Sequence, residues 1–541
     1  MNRTKRRIPF SAEVAEFMRI AMTPVSLLYL AFAVILGVSL FNHGPIPAME
    51  PRFADAVREM IAQGQYLIPT INHVPYIEYP PLYYWLSIAG RLAGLPLAAA
   101  IRLPTYLAFF LWLFWLRRLQ RQWFPEWSAV LLPLTAAALP AVLYNFFHAQ
   151  VDGLLMLGTL MAFTGFARLR DDPARRTFPW ELWLGILLAT AAKGPVGMAI
   201  TLPAMALEVV IASCQKTAPA TGSSPAGNRR LLYILHEAWR MAPFRGLGLA
   251  LLGIVPWYLA AGLTSGWEFV RGVLVYQNFT RFLHGLDHLQ PWWFYGGTIW
   301  GDFFPLALLF PIGLYLGVRH GREFRWRMPL LWSLATILFF SFSASKQSKY
   351  ILPAAPAVAL LALAAVPVLF HQRWQRRVYA LLKGWAVLLI AIFGVLVLAW
   401  LPTQQLRIGG VGGYDRIQSA IAAHPGKIVS FQWPRPMTIY VLGAPLAWVT
   451  SSRALYAEMQ DGRIRPGDYV LVSDRFLPGG GEPASHTLLP APAPPYFEKV
   501  LSVKAEKHMT LYRVLPGVRD LPLPATPPPP PHHWWDQFDT D

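Results

Sequence analysis

Residues 22–41 read MTPVSLLYLAFAVILGVSLF, a run without a single charged side chain. A helix rises about 1.5 Å per residue, so about twenty such positions cross a hydrocarbon layer roughly 30 Å thick. The run exceeds the apolar part of a secretory signal, about 7–15 residues. With the basic MNRTKRR that opens the chain, it reads as an uncleaved anchor. Working outward, comparable apolar windows fall at 98–116, 128–147, 151–167, 180–192, 196–213, 247–263, 293–318, 328–343, 351–370 and 379–401. The expected fold is an all-α polytopic membrane protein with about eleven to thirteen spans, the range reflecting short windows that pair or break.

The charges fall between these windows. Of 541 residues, 47 are Lys or Arg and 29 are Asp or Glu, giving +18 on a chain that is 55% hydrophobic. Such a balance fits either a nucleic-acid binder or a membrane protein with basic inner loops. The positions decide. Arg3, Lys5, Arg6 and Arg7 precede the first window. Every second loop is then basic: Arg117, Arg118 and Arg121; Arg168, Arg170, Arg175 and Arg176; Arg229, Arg230, Arg240 and Arg245; Arg319, Arg322, Arg325 and Arg327; Arg373, Arg376 and Arg377. That alternation is the positive-inside pattern. It predicts a cytoplasmic N-terminus and an outer C-terminus, and charge scattered over short segments excludes a nucleic-acid surface. The lone Cys214 excludes an internal disulfide framework and a Cys-based zinc cluster.

The domain expectation follows. Residues 1–401 form the transmembrane domain, with a first outer loop at 42–97 and a second at 264–292. From about 402 to 517 the chain turns soluble: KIVSF, LAWVT, YVLVSD, FEKVLSV and MTLYRVL read as short strands, with Ser452 as the cap of a helix over 453–460. This is a small α/β domain outside the membrane. Residues 518–541 are a Pro-rich tail, read as disordered.

The first outer loop carries the densest chemistry. Pro51 starts a helix in which Phe53, Val57, Met60 and Ile61 share one face, while Arg52, Asp55, Arg58 and Glu59 lie elsewhere. That is an interfacial amphipathic helix. An extended stretch leads to Glu78, just before a Pro-Pro that starts a second, aromatic interfacial helix.

The stretch MEPRFADAVREMIAQGQYLIPTINHVPYIEYPPLYYWL resembles the first outer loop of bacterial polyprenyl-phosphate-sugar-dependent glycosyltransferases. These are the aminoarabinose transferases that modify lipid A and their protein-mannosyltransferase relatives, of the GT-C fold. HAQVDGLLM, AAKGPVG, PWYLAAGL, QNFTRFLHGLDHLQPWWFY and SASKQSKYILPAAPA resemble further family segments in the same order, over roughly residues 20–370. The resemblance implies a bacterial inner-membrane enzyme with a periplasmic C-terminal domain. It would transfer a sugar, with inversion, from an undecaprenyl-phosphate-like donor to a lipid, glycan or protein acceptor among membrane lipids. Two positions depart from the pattern. The family's first-loop Asp, usually taken as the base, aligns with Met49, leaving Glu50; the Lys of the family's Glu-Lys-Pro-Pro motif is Tyr79, after Glu78.

Such a reaction needs a group for the acceptor proton and cations for the departing phosphate. The candidate catalytic carboxylates are Glu50, Asp152 and Glu78. Each has a plainer reading: a helix cap for Glu50, a first-turn acid favoured by the helix dipole for Asp152, a backbone hydrogen bond for Glu78. The candidate phosphate ligands are Arg52, Arg58, Lys193, Arg281, Lys346, Lys349 and Tyr350, with snorkelling to lipid headgroups as the rival reading for the exposed cations. Glu78 with His288, and His284 nearby in sequence, is a candidate holder of a divalent metal ion. Rival functions are a transporter or flippase of a lipid-linked anion, sharing the cations and layout, and a degenerate transferase, suggested by Met49.

The charge pattern makes a direct prediction. Alkaline phosphatase fused after residue 517 is expected to be active in cells, and the same reporter fused in the 117–127 loop inactive. The reverse pair of activities would overturn the topology.

Overall fold

The computed structural model describes residues 23–44, 46, 49–216, 226–285, 288–403, 411–442, 446–477, 496–504 and 508–517. The basic N-terminal segment and the Pro-rich tail lie outside the described residues. Chain contacts divide the protein into two compact units: 1–40 with 104–259 and 278–398, and 41–103 with 260–277 and 399–541.

Helix occupies every apolar window. The first is Pro24–Ser39, whose cap Thr23 accepts from Ser26 N at 3.1 Å, with Pro24 at the tolerated first position. By length and apolarity, five described helices qualify as spans, and a sixth counts if Pro140–Phe147 and Asp152–Asp171, bent by 120° at their break, form one. Other windows are interrupted. Window 128–147 is two short helices, Leu131–Ala137 and Pro140–Phe147. Window 293–318 runs as Phe294–Asp302, a 3₁₀ turn at Leu306–Leu308, and Phe310–Arg319. Proline explains both breaks: Pro140 and Pro305 lack the N–H that a continuing helix needs. The last window extends backward to Gln372 and forward to Thr403.

In the first unit the closest packing is between helices Asp152–Asp171 and Trp180–Lys193. A Cβ on Gly158 would sit 2.6 Å from Ala189 N, and one on Gly185 2.4 Å from Ala162 N. The backbones therefore touch, along small residues three and four apart. In lipid, where apolar surface gains nothing by leaving the solvent, such small-residue seams supply the dispersion contacts that join helices. At the basic end of these helices the expected topology charges are tied down. Arg170 pairs with Glu208 at 3.1 Å and Glu237 at 2.5 Å, Arg240 with Glu237 at 2.8 Å, and Arg327 with Glu208 at 2.6 Å, all buried. Glu237 and Arg240 stand on an amphipathic helix, Ala226–Arg240, that the reading of 229–245 as a loop had not anticipated.

The second unit contains the 42–97 loop and the C-terminal sheet domain. Helix Glu50–Gln63 ends on Gly64 at φ 63°, and a two-strand hairpin follows, β1 (Thr70–Ile71) and β2 (Val74–Pro75). Its turn residues, Asn72 (φ 53°) and His73 (φ 64°), are left-handed, as a two-residue hairpin loop demands. Helix Leu82–Leu92 packs Tyr83 and Tyr84 against Phe53 as tilted ring pairs, at ring distances of 4.6 and 5.6 Å. The C-terminal domain is built on a five-stranded sheet. Its strands are β3 (Ile428–Phe431), β4 (Ala447–Val449), β5 (Tyr469–Ser473), β6 (Phe497–Lys504) and β7 (His508–Val514), ordered β4-β3-β5-β7-β6. β4, β3 and β5 are parallel, and β7 is antiparallel to both β5 and β6. All five expected strands are present. The helix after β4 begins one residue early, with Ser451 rather than Ser452 as the cap, accepting from Ala454 N at 3.2 Å. Helices Val411–Ala423 and Pro436–Leu442 were not foreseen.

Gly158→Leu tests the helix seam. Its side chain has nowhere to go, and overpacking costs about 1–3 kcal/mol or more. The expected result is a lower midpoint in detergent thermal unfolding, with Gly158→Ala intermediate. Unfolding midpoints unchanged by Leu would refute backbone contact at this seam.

Candidate active site

In the first unit, three of the expected residues come together. Asp152 is the first residue of its helix and Lys193 the last of the next, so the Gly158–Gly185 seam lays the two ends side by side. Lys193 Nζ donates to Asp152 Oδ1 at 2.5 Å, with Asp152 almost fully buried and Lys193 13% exposed. The same Nζ lies 4.6 Å from the centre of the Tyr350 ring, a cation–π contact. Asp152 Oδ2 is buried without a hydrogen-bond partner among the described residues. A lone pair in that state is costly and is the atom on which a substrate hydroxyl gains most. Gly194 (φ 69°) makes the turn after Lys193, and the Asn278 side chain lies 3.4 Å from where a Cβ on Gly194 would be.

The other first-unit cations are placed differently. Lys346 Nζ donates to the backbone carbonyls of Gln290, at 2.8 Å, and Ser343. Its burial pulls the ammonium pKa below the usual lysine value. Bound this way, Lys346 holds the turn. Lys349 is half-buried in the 3₁₀ helix Ser348–Ala354 that also carries Tyr350. Arg281 is half-buried at the start of a one-turn helix, Arg281–His284, and His288 is exposed, its carbonyl accepting from Lys346 N at 3.1 Å.

The second unit holds the first-loop residues. Glu50, expected as a base, is fully buried. Its Oε1 accepts from Arg102 Nε at 2.9 Å, and its Oε2 from Arg102 Nη2 at 2.7 Å and Ile46 N at 2.8 Å. Arg102 also donates to the carbonyls of His43 and Gly44. A base must reach the acceptor's proton; both oxygens here are occupied and walled off, so the geometry suits holding the loop, not proton abstraction. Beside it, burial and then Arg102 bring the His43 pKa down to about 4, so this imidazole is neutral. Arg52 and Glu78 meet at 2.8 Å, half-buried. Arg58, expected on the phosphate, donates to Asp55 at 2.7 Å and to the carbonyls of Ile439 and Tyr440 at 3.2 and 3.3 Å. These carbonyls close helix Pro436–Leu442, where a cation complements the helix dipole; that bonding ties up the guanidinium. Glu59 accepts from Thr70 Oγ1, Asn72 N and His73 N at 2.6–3.0 Å, and so shapes the hairpin turn.

For a metal, the residues fit poorly. Glu78 is engaged by Arg52, and among the described residues no group of three or more His, Cys, Asp or Glu gathers as an ion would need.

The crystal structure of ArnT from Cupriavidus metallidurans bound to undecaprenyl phosphate superposes with a TM-score of 0.67 over 92% of this chain and 100% of that one, at 20% identity. The chain has the GT-C fold. In sequence, this GT-C protein is 27% identical over 478 residues to an undecaprenyl phosphate-α-4-amino-4-deoxy-L-arabinose arabinosyl transferase of Pseudomonas fluorescens, covering 83% of the chain and 76% of the relative. It is 26% identical to the corresponding transferase of Shewanella sediminis, covering 60% of the chain and 56% of the relative. No protein-family model matches the chain. The GT-C protein is thus a multi-pass membrane protein similar to these transferases over most of its length.

Sequence reading passed over Arg102 and Asp302. Both are ionisable residues inside apolar windows, and that interruption was the signal available.

Asp55 yields a pH prediction. Burial pushes its carboxyl up to about 8 against the pull of Arg58, with Glu59 adding to the rise. The unfolded chain sheds this proton near the ordinary value of about 4, before the folded chain does, so stability on this account falls as pH rises from about 4 to about 8. Asp55→Asn is expected to flatten the fall in unfolding midpoint between pH 5 and 8. Identical slopes for the two proteins would count against it.

Proposed function

We propose that this protein is a membrane glycosyltransferase that moves a sugar from an undecaprenyl-phosphate donor to an acceptor hydroxyl at the outer membrane face, with Asp152, Lys193 and Tyr350 at its centre. The observation that carries the residue assignment is the Asp152–Lys193 pair with its one unpartnered oxygen. Likeness to the arabinosyl transferases supports an amino-pentose as the sugar, and a lipid A-type glycolipid is the matching acceptor. The protein sits in a bacterial inner membrane, N-terminus inside, with residues 402–517 as a periplasmic domain.

The chemistry follows from the groups. The acceptor hydroxyl hydrogen-bonds to Asp152 Oδ2, which takes its proton as the oxygen attacks the anomeric carbon. The bond from that carbon to the phosphate oxygen breaks, and the phosphate leaves with the electron pair. Lys193 bonds to Asp152 through one of its three N–H groups, which leaves donors for the departing phosphate. A single displacement inverts the anomeric centre. Lys349 and Arg281, in the same unit as Lys193, are the remaining candidates for the donor's phosphate. In this reading the base has moved from the loop position held by Met49 to Asp152, and Glu50 with Arg102 holds the loop in shape.

Purified protein, incubated with undecaprenyl-phosphate-linked aminoarabinose and lipid A, is expected to give labelled lipid A. Asp152→Asn should lower kcat by about 10²–10⁴, the usual worth of a general base. Turnover unaffected by the change would remove Asp152 from the chemistry. Movement of the lipid across vesicle membranes without transfer would make the protein a flippase instead.

A further inference from the structure

Asp302 has no role so far. It ends helix Phe294–Asp302, inside a window otherwise apolar enough to be read as a span. A carboxylate in such a run is expensive and calls for a partner. Among the described residues Asp302 makes no ion pair; Ser348 Oγ donates to its Oδ2 at 2.6 Å. Seven residues earlier, on the same face of the helix, Tyr295 Oη donates to the Gln347 carbonyl at 3.2 Å. Two consecutive residues of the 347–348 turn are therefore held by one helix face. Ser348 is two residues from Tyr350 in the same 3₁₀ helix, so at about 2 Å of rise per residue the Asp302 contact lies roughly 4 Å along the axis from the Tyr350 backbone. Tyr350 in turn carries Lys193, which carries Asp152. Asp302 is thus a half-buried acid on the structural support of the site, with the Ser348 and Thr298 hydroxyls beside its carboxylate.

Beside groups meant for a phosphate, an unpaired negative charge works against binding. It is favourable where the ligand also brings a positive charge. A primary amine on a sugar is such a charge, being largely protonated near neutral pH. We infer that Asp302 is a specificity-determining residue that accepts a charge-assisted hydrogen bond from the ammonium of an amino-sugar donor. Ser348 fixes the carboxylate's orientation and leaves lone pairs for the ligand. This rests on the transferase reading above and deepens it by naming the group that selects the sugar.

The test compares two donors, undecaprenyl-phosphate-linked aminoarabinose and its N-acetyl derivative, which is neutral. With the unaltered protein the amine donor should be preferred. Asp302→Asn should lower kcat/KM for the amine donor by about ten- to a hundredfold, mainly through KM, and leave the neutral donor unchanged or better used. Asp302→Glu should restore part of the preference. Binding of undecaprenyl phosphate itself, which has no amine, should be the same in all three proteins and shows that the variants fold. Equal losses with both donors, or an amine preference untouched by Asn, would overturn the inference while sparing the transferase reading. An unaltered protein that uses neither donor would overturn both.

Discussion

The close approach of helices Asp152–Asp171 and Trp180–Lys193 is the constraint on which the first unit depends. Gly158 and Gly185 let the backbones meet, with Ala162 and Ala189 as the surfaces they meet. Lipid offers no hydrophobic drive to join helices, so the seam relies on fit. Because the helices meet along their length, the beginning of one lies beside the end of the other. Asp152 and Lys193 thereby become each other's nearest charge, and each offsets what the other loses by leaving water. A seam a residue wider would leave a buried carboxylate and a buried ammonium apart. The same geometry leaves Asp152 Oδ2 buried without a hydrogen-bond partner among the described residues.

The second unit uses charge for another purpose. Glu50 with Arg102, Glu59 with the hairpin turn, and Arg58 with Asp55 and the end of helix Pro436–Leu442 are scaffolding. Together they tie the helices and hairpin of the loop to one another and to helix Pro436–Leu442. Asn72 adds a neutral clamp: it donates to the Leu446 carbonyl at 3.0 Å and accepts from Leu446 N at 2.6 Å, as a strand neighbour would. The +18 of the whole chain therefore divides three ways. One share lies in the alternate basic loops, one braces the fold, and the proposed phosphate ligands, Lys193 foremost, make up the third.

Much of this was legible in the sequence. Twenty-residue apolar windows find helices because burial in lipid imposes a length, and strand runs find strands because alternation and flanking Gly and Pro impose another. Asp152 and Lys193 were candidates because they edge apolar runs, Lys193 as a cation on the side expected to be poor in them, and Tyr350 because its segment resembles a family run. What was not legible depends on partners far apart in the chain. Nothing local to Glu50 announces Arg102, and Arg102 inside an apolar window reads as part of a span. Nothing in Arg58 or Lys346 says that carbonyls at 439–440 or at 290 and 343 will occupy them. Gly158 and Gly185 count as apolar in any window, so the seam they form was invisible as well.

The central claim is that the Lys193 ammonium, placed by the helix seam and shared between Asp152 and Tyr350, receives the donor's phosphate. The most direct measurement is the affinity of purified Lys193→Met for undecaprenyl phosphate, beside that of Lys346→Met. Losing a charge-assisted bond to phosphate should weaken the first by about ten- to a hundredfold, while Lys346→Met, whose ammonium is bound to backbone carbonyls, should bind nearly as the unaltered protein does. Unchanged affinity in a folded Lys193→Met, or a larger loss at Lys346, would contradict the account.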